Sequence, residues 1–267
     1  MGKIIAIANQ KGGVGKTTTC VNLAASMAAT KRKVLVIDLD PQGNATMASG
    51  IDKYQVAYTA YDLLVDELSV DEVVERETSG GYHLIAANGD VTAAEIKLME
   101  VFAREVRLRT ALAPVRDYYD YIFIDCPPSL NLLTVNAMSA ADSVLVPMQC
   151  EYFALEGLTA LVDTISKLAA VVNPELKIEG ILRTMFDHRN RLSNEVSDQL
   201  KSHFGDKVYR TVIPRNVRLA EAPSFGQPAM HYDKSSLGAK AYLALAGEIL
   251  RRSELAQEPQ ESSEQTV

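Results

Sequence analysis

The chain has 267 residues, of which 47 % are apolar and 23 % are charged, values that are ordinary for a soluble globular protein. Its length suits one large α/β domain or two small ones, and no apolar run approaches the roughly 18 residues that a membrane-spanning helix needs. The formal net charge of −7 argues at first against a nucleic-acid partner.

The first predicted elements are a strand, a glycine-rich loop and a helix. The strand is the apolar run Ile4–Ala8, and the helix spans Thr17 to Ala29. Glycines let backbone N–H groups face phosphate oxygens, and the helix N-terminus adds its positive end. We therefore predict a phosphate-binding loop in which Lys16 reaches the β- and γ-phosphates and Thr17 holds Mg²⁺. The predicted nucleotide-binding residues of this loop are Lys11, Gly12, Gly13, Val14, Gly15, Lys16, Thr17 and Thr18.

Two further predicted strands end in acidic residues. The strand Lys33–Asp40 contains Asp38 near its end, and the strand Tyr121–Asp125 closes on a carboxylate. In open α/β sheets, ligands bind beyond the carboxyl ends of the strands, so we expect these carboxylates beside the phosphate-binding loop. Carboxylate and hydroxyl oxygens are the ligands that Mg²⁺ prefers. The predicted metal ligands are Thr17, Asp38 and Asp125.

The residue after Asp125 is Cys126, at a position where many fast ATPases carry a glutamate base. No general base therefore follows the carboxylate that would hold Mg²⁺. We predict slow intrinsic hydrolysis for this reason.

The remaining pattern also alternates between strands and helices. Residues 57–113 are predicted to be mostly helical, with a short strand at Tyr82–Ala87 and capping boxes at Ser69-x-x-Glu72 and Thr92-x-x-Glu95. The later predicted strands are Ser143–Pro147, Lys177–Met185 and Val208–Val212. The later predicted helices are Tyr152–Val172, a helix that follows Arg191 and ends at His203, and Leu237–Leu250. Together they predict an α/β domain over residues 1–252, with a mostly parallel sheet and helices on both faces. An acidic, disordered tail is predicted over residues 253–267.

A basic segment lies within this otherwise acidic chain. Residues 183–218 contain eight Lys or Arg and four Asp or Glu, a local charge of 8 − 4 = +4. A net acidic chain can therefore still present a basic face. No base-reading module accompanies these residues, so we expect any DNA contact to be non-specific.

The form Lys-Gly-Gly-Val-Gly-Lys-Thr at 11–17, with Gln10 in place of the usual first glycine, resembles the deviant Walker A motif of the ParA/MinD family of ATPases. Segments 149–157 and 212–223 resemble the chromosomal ParA (Soj) branch in particular. The resemblance extends from Met1 to about Arg252. It implies a P-loop NTPase fold with ATP and Mg²⁺ as cofactors, and a slow ATPase that serves chromosome or plasmid partitioning.

The same resemblance implies roles for individual residues. The chain would form a homodimer in its ATP state, in which Lys11 of each subunit reaches the nucleotide of the other. Lys11, Lys16 and Asp40 would be catalytic, with Asp40 engaging the attacking water. The implied adenine-contacting residues are Pro214, Arg215 and Asn216, and the implied DNA-binding residues are Arg189 and Arg218.

The partners implied by the resemblance are non-specific double-stranded DNA and a ParB-type centromere-binding protein. We expect a cytoplasmic protein, because the three cysteines are widely spaced and the chain begins with a strand rather than a secretory leader. The resemblance implies that it is also nucleoid-associated. A membrane-bound MinD-type protein would end in a basic amphipathic helix, whereas this tail is acidic. Two alternatives stay open: an ATP-regulated filament or scaffold, and a positioning ATPase of the same family for another cargo.

Overall fold

Eight strands form one sheet in the computed structural model, which describes residues 2–257. They are β1 (Lys3–Ile7), β2 (Val34–Asp38), β3 (Val74–Glu75), β4 (His83–Ile85), β5 (Tyr121–Asp125), β6 (Ser143–Gln149), β7 (Lys177–Phe186) and β8 (Val208–Pro214). Their order across the sheet is β3-β4-β2-β5-β1-β6-β7-β8. All neighbouring strands are parallel except β3 and β4, which are antiparallel.

Twelve α-helices lie between or after the strands within residues 2–257. They are α1 (Lys16–Ala29), α2 (Asn44–Ala48), α3 (Ala60–Leu64), α4 (Val70–Val73), α5 (Val91–Leu98), α6 (Arg107–Leu112), α7 (Leu132–Ala140), α8 (Ala154–Val172), α9 (Arg191–Phe204), α10 (Val217–Glu221), α11 (Ala229–Tyr232) and α12 (Leu237–Gln257). None of these helices is both long and apolar enough to cross a membrane.

Helices cover both faces of the sheet, as the contacts of β1 show. Successive residues of this strand point to opposite sides of the sheet. Ile5 and Ile7 belong to a core shared with α1 and α12, whereas Ile4 and Ala6 belong to a core shared with α7 and α8. A strand that is buried on both faces needs apolar residues without alternation, which is the pattern of β1. The predicted fold class, a mostly parallel sheet with helices on both faces, is confirmed.

The two predicted capping boxes have different outcomes. Glu72 accepts hydrogen bonds from the backbone N–H and the hydroxyl of Ser69, at 2.8 and 2.6 Å, as predicted. The prediction of a capping box at Thr92 and Glu95 is wrong, because α5 already begins at Val91 and Thr92 lies inside the helix. The Glu95 carboxylate instead accepts a hydrogen bond from Asn131.

The last helix is longer than its sequence pattern predicts. It continues to Gln257, so the predicted domain boundary after residue 252 lies inside α12. Arg252 fixes this part of the helix, since its guanidinium lies over the Tyr209 ring and pairs with Glu248. The rest of the predicted tail, residues 258–267, lies outside the described residues.

Glu248 also connects α12 to β8, which is an edge strand of the sheet. Its carboxylate accepts hydrogen bonds from the backbone N–H groups of Arg210 and Thr211, each at 2.9 Å. The same carboxylate pairs with Arg252 at 2.8 Å, and Glu248 is buried. A single side chain therefore satisfies two donors of the edge strand.

We predict that Glu248→Ala lowers the free energy of unfolding by about 2–3 kcal/mol, because two backbone donors and a guanidinium lose their acceptor. Urea unfolding of both proteins measures this change. The matched control is Glu254→Ala, which removes an exposed carboxylate from the same helix and should change stability by less than about 0.5 kcal/mol. Equal effects of the two substitutions would contradict the assigned role of Glu248.

Candidate nucleotide-binding site

The loop between β1 and α1 has the backbone conformation that its glycines make possible. Gly13 and Gly15 have φ values of +72° and +89°, in the left-handed region where side chains are strained. Gly15 immediately precedes α1, so the loop leads directly into the N-terminus of a helix. Lys16 is the first residue of that helix, and its buried side chain places Nζ 3.4 Å from the carbonyl oxygen of Lys11.

Side chains from β6, β7 and the end of β1 hold this loop in place. The Thr184 hydroxyl lies 2.7 Å from the Val14 carbonyl oxygen, and the Gln149 amide donates to the Gly13 carbonyl at 2.9 Å. The side-chain oxygen of Asn9 accepts a hydrogen bond from the backbone N–H of Lys11 at 3.0 Å. Sequence reasoning missed these supporting residues, because a polar residue at a strand end carries no signal for the loop that it contacts.

Asp38 and Asp125 lie side by side at the carboxyl ends of β2 and β5, where they are partners in the strand register. Both side chains are completely buried. Burial raises the pKa of Asp38 to about 6, although hydrogen bonds from Thr46 oppose this shift. Burial, and next the charge of Asp38, raise the pKa of Asp125 well above its ordinary value. Two neighbouring carboxylates in a dry site are a natural ligand set for a cation.

The two carboxylates differ in their hydrogen bonds. Asp38 Oδ2 accepts from the backbone N–H and the hydroxyl of Thr46, at 2.9 and 2.8 Å, and Oδ1 accepts from the N–H of Asp40 at 3.1 Å. Among residues 2–257, neither oxygen of Asp125 has a hydrogen-bond partner of normal geometry. Thr17 and Lys16 are the neighbouring groups that favour its charged form. Buried carboxylate oxygens without donors fit a Mg²⁺ shell, so Asp125 is the better candidate ligand and Asp38 mainly holds the following loop.

That following loop contains Asp40 and runs into the unpredicted helix α2. Asp40 is only partly buried, and its carboxylate accepts the N–H of Gln42 at 3.0 Å. Thr46, in α2, donates to Asp38 and accepts the backbone N–H of Ala87 at 2.9 Å. The Thr46 side chain thus joins the loop after β2 to the end of β4, a role that no sequence motif indicated.

A small cavity of about 180 Å³ lies beside the loop on the β7 and β8 side. The predicted adenine-contacting residues Pro214, Arg215 and Asn216 line it together with Gly15. Asn216 Oδ1 is buried and has no hydrogen-bond partner in the described part of the chain. An unpaired amide oxygen beside the phosphate-binding loop fits the exocyclic amine of a purine base.

Lys11 lies at the rim of the site rather than inside it. Its ammonium group forms an ion pair with the carboxylate of Glu151, and both side chains are about half exposed. The pair lines a larger cavity of about 570 Å³ next to the exposed rings of Tyr152 and Phe153. The structure therefore brings Lys16, Thr17, Asp38 and Asp125 together, and leaves Lys11 directed outward.

The two predicted DNA-binding arginines lie outside this site. Arg189 is 90 % exposed and donates two hydrogen bonds to Asp187, at 3.0 and 2.9 Å. These bonds lower the pKa of Asp187 to about 2. Arg218 pairs with Glu221 at 2.7 Å and with Asp233 at 3.4 Å. Each arginine thus has an acidic neighbour that offsets its charge.

Comparisons with known proteins agree with this geometry. The model of a family described as an AAA domain matches residues 2–178. The sporulation initiation inhibitor protein Soj of Bacillus subtilis is 53 % identical over 249 residues, 93 % of this chain and 98 % of that protein. The chromosome partitioning protein ParA of Caulobacter vibrioides is 51 % identical over 252 residues, 94 % of each chain. A solved structure of cobyrinic acid a,c-diamide synthase from Mycobacterium smegmatis, with a bound ATP analogue and magnesium, has a TM-score of 0.83 and 34 % identity over 96 % of this chain and 98 % of that one.

We predict that Asp125→Asn stabilises the nucleotide-free protein, because it removes a buried carboxylate whose charged form is disfavoured by burial and by the neighbouring Asp38. The melting temperature at neutral pH should rise by roughly 2–4 °C, which corresponds to about 1 kcal/mol. The further rise on adding ATP and Mg²⁺ should be lost, because the cation ligand is gone. Thermal melts with and without these additions measure both effects.

The matched control is Asp163→Asn, which neutralises an exposed carboxylate on α8 and should leave both temperatures unchanged. A destabilised Asp125→Asn protein that keeps the full response to ATP and Mg²⁺ would contradict the assignment.

Proposed function

This chain belongs to the ParA/Soj family of chromosome-partitioning ATPases, and on that premise we propose that it is an ATP-dependent dimerising switch that binds DNA. The monomer binds ATP with Mg²⁺, dimerises, and then binds double-stranded DNA without sequence preference. Slow hydrolysis of ATP returns it to the monomer. A ParB-type centromere-binding protein accelerates this step, and the DNA-bound form is associated with the nucleoid.

The observation that carries the ATPase part of the proposal is the buried carboxylate of Asp125 beside the phosphate-binding loop, whose oxygens have no hydrogen-bond partner of normal geometry within residues 2–257. When bound there, Mg²⁺ would neutralise charge on the β- and γ-phosphates. Asp125 and Thr17 would hold this ion, and Lys16 would bind the same phosphate oxygens from the helix N-terminus. Asp40, on the partly exposed loop, would orient the attacking water.

The slow turnover in this proposal follows from the residue after Asp125. Cys126 is buried, and burial raises the pKa of its thiol far above the ordinary value. A neutral, buried thiol does not serve as a general base at neutral pH. Faster turnover would therefore need another molecule, and a ParB-type partner would supply this acceleration.

Dimerisation is supported by the positions of Lys11 and Gly12. Lys11 is half exposed and bound to Glu151, so it can contact a second subunit once that ion pair breaks. A Cβ atom built on Gly12 meets nothing within 4 Å in the described part of the single chain. A side chain at this position would therefore obstruct only a partner. We infer that the ATP-bound dimer places Lys11 of each subunit against the nucleotide of the other.

We predict that Lys11→Ala loses ATP-driven dimerisation but keeps most of its ATP affinity, because Lys16 still binds the phosphates. Asp40→Ala should bind ATP, fail to hydrolyse it and accumulate as a dimer. Sedimentation with ATP and with ADP, together with calorimetric ATP binding, measures both outcomes. Lys167→Ala, which removes an exposed lysine on α8, is the control and should behave as the wild type. Equal losses of ATP binding and dimerisation in Lys11→Ala would show that Lys11 acts only within its own subunit.

We predict that Arg189→Ala and Arg218→Ala weaken binding to all DNA sequences alike, because arginine contacts to phosphates carry no sequence information. Removal of one arginine–phosphate interaction should reduce the slope of log K against log salt by roughly 0.9. ATP-driven dimerisation should persist in both variants. Salt titrations of DNA binding with ATP and with ADP measure these effects.

Arg76→Ala is the matched control for Arg218, since both arginines are 49 % exposed and each pairs with carboxylates. This control should keep wild-type DNA binding. DNA binding that is equally strong with ADP, or unchanged in both test variants, would refute this part of the proposal.

A further inference from the structure

The turn that follows β2 fixes the orientation of Asp40. The backbone N–H of Asp40 donates to Asp38 Oδ1 at 3.1 Å, and Asp40 Oδ1 accepts the backbone N–H of Gln42 at 3.0 Å. The backbone carbonyl of Asp40 accepts the N–H of Gly43 at 2.8 Å. An ionised carboxylate has about four acceptor positions on its two oxygens, so the bond from Gln42 leaves capacity for a water molecule. The shape of the turn 40–43 therefore decides where that capacity is presented.

Lys53 reaches this turn from a later part of the chain. Its side chain is partly buried, and Nζ lies 2.5 Å from the backbone carbonyl oxygen of Gln42. That carbonyl and the N–H of Gly43 belong to the same peptide group. A cation bound to the carbonyl polarises the group and strengthens the hydrogen bond that its N–H donates to Asp40. The ammonium group of Lys53 therefore stabilises the closed form of the turn.

The aliphatic stem of Lys53 restrains the same turn by packing. Gly43 is buried and has a φ value of +61°. A Cβ atom built on it would lie 2.5 Å from the carbonyl oxygen of Ala87, just after β4, and 2.8 Å from Lys53 Cδ. The backbone at Gly43 is therefore enclosed between the end of β4 and the lysine stem, and only glycine fits there.

Lys53 itself extends from a turn that has its own hydrogen bonds. The N–H of Ile51 donates to the carbonyl of Thr46, in α2, at 3.3 Å. Asp52 Oδ1 accepts the N–H of Tyr54 at 3.0 Å. These bonds hold the backbone on both sides of Lys53, and Thr46 in turn donates to Asp38. The lysine is thus supported by the same part of the structure that holds the end of β2.

We propose that Lys53 is a positioning residue for ATP hydrolysis, which acts on the attacking water through Asp40. The proposal rests on the function proposed above for Asp40, and it adds a residue that no sequence motif indicated. Without the ammonium group, the turn adopts the closed form for less of the time, so the Asp40 carboxylate is correctly placed less often. The phosphate and Mg²⁺ ligands Lys16, Thr17 and Asp125 are untouched, so ATP affinity should not change.

The test is single-turnover hydrolysis of ATP by Lys53→Met, which keeps the stem and removes the charge. The hydrolysis rate should fall about tenfold because Asp40 is misplaced. Calorimetric ATP affinity should be unchanged, and the melting temperature should stay within about 2 °C of the wild type. Lys53→Arg restores a cationic donor and should recover most of the rate. Lys207→Met, which changes an exposed lysine in the turn before β8, is the matched control and should hydrolyse ATP as the wild type does.

Hydrogen exchange gives a second measurement that does not depend on activity. The N–H of Gly43 should exchange about tenfold faster in nucleotide-free Lys53→Met, because its hydrogen bond to Asp40 is weakened. The N–H of Thr46, which donates to Asp38, should keep its wild-type exchange rate. Unchanged exchange at Gly43 would overturn the proposed action of Lys53 on the turn.

Asp40→Ala, measured in parallel, separates failure of this inference from failure of the proposed function. Normal hydrolysis by Asp40→Ala would refute the role of Asp40, and the inference about Lys53 with it. An inactive Asp40→Ala beside a fully active Lys53→Met would overturn only the inference. Loss of ATP binding in Lys53→Met, or no recovery in Lys53→Arg, would also overturn it, since either result would show that Lys53 does not act by positioning Asp40.

Discussion

The site depends on one electrostatic constraint: two carboxylates, Asp38 and Asp125, are buried in register on neighbouring strands. Burial disfavours both charges, and each charge disfavours the other. Thr46 donates two hydrogen bonds to Asp38, whereas the charged form of Asp125 is favoured only by the neighbouring Thr17 and Lys16. A divalent cation relieves this arrangement more effectively than any single side chain. We therefore expect a bound divalent cation to stabilise the charged forms of both carboxylates at the ends of the central strands.

Much of the fold and part of the site could be predicted, because they follow from local patterns. Uninterrupted apolar runs identified the buried parallel strands, and the glycines before Lys16 identified a loop whose φ values require them. The acidic ends of β2 and β5 could be placed together because parallel strands end at one edge of a sheet. The contacts that complete the site could not be predicted. Thr46, Thr184 and Gln149 act across large sequence separations, and no local pattern distinguishes them from other polar residues.

The Thr92 capping box and the end of α12 show a second limit of sequence patterns. Thr92 and Glu95 have the correct spacing, but the helix begins earlier and Glu95 is bonded to Asn131 at the start of α7. Helix α12 extends because Arg252 packs on β8, which its own amphipathic pattern does not encode. The ion pairs that Arg189 and Arg218 form with acidic neighbours are a further example of contacts that a local sequence pattern does not predict. Net charge over a segment indicates a basic face, but the ion pairs that offset it depend on the fold.

The bond between Glu248 and β8 also limits how copies of this protein can assemble. A parallel sheet with free edges can be extended by a strand from another molecule, which leads to ribbons and aggregates. Here the backbone N–H groups of Arg210 and Thr211 are occupied by the carboxylate of Glu248, and the opposite edge is the two-residue strand β3. A strand added to β8 would compete with Glu248 for these two donors, and β3 offers only two residues for pairing. Association of copies by strand addition is therefore disfavoured at both edges of the sheet.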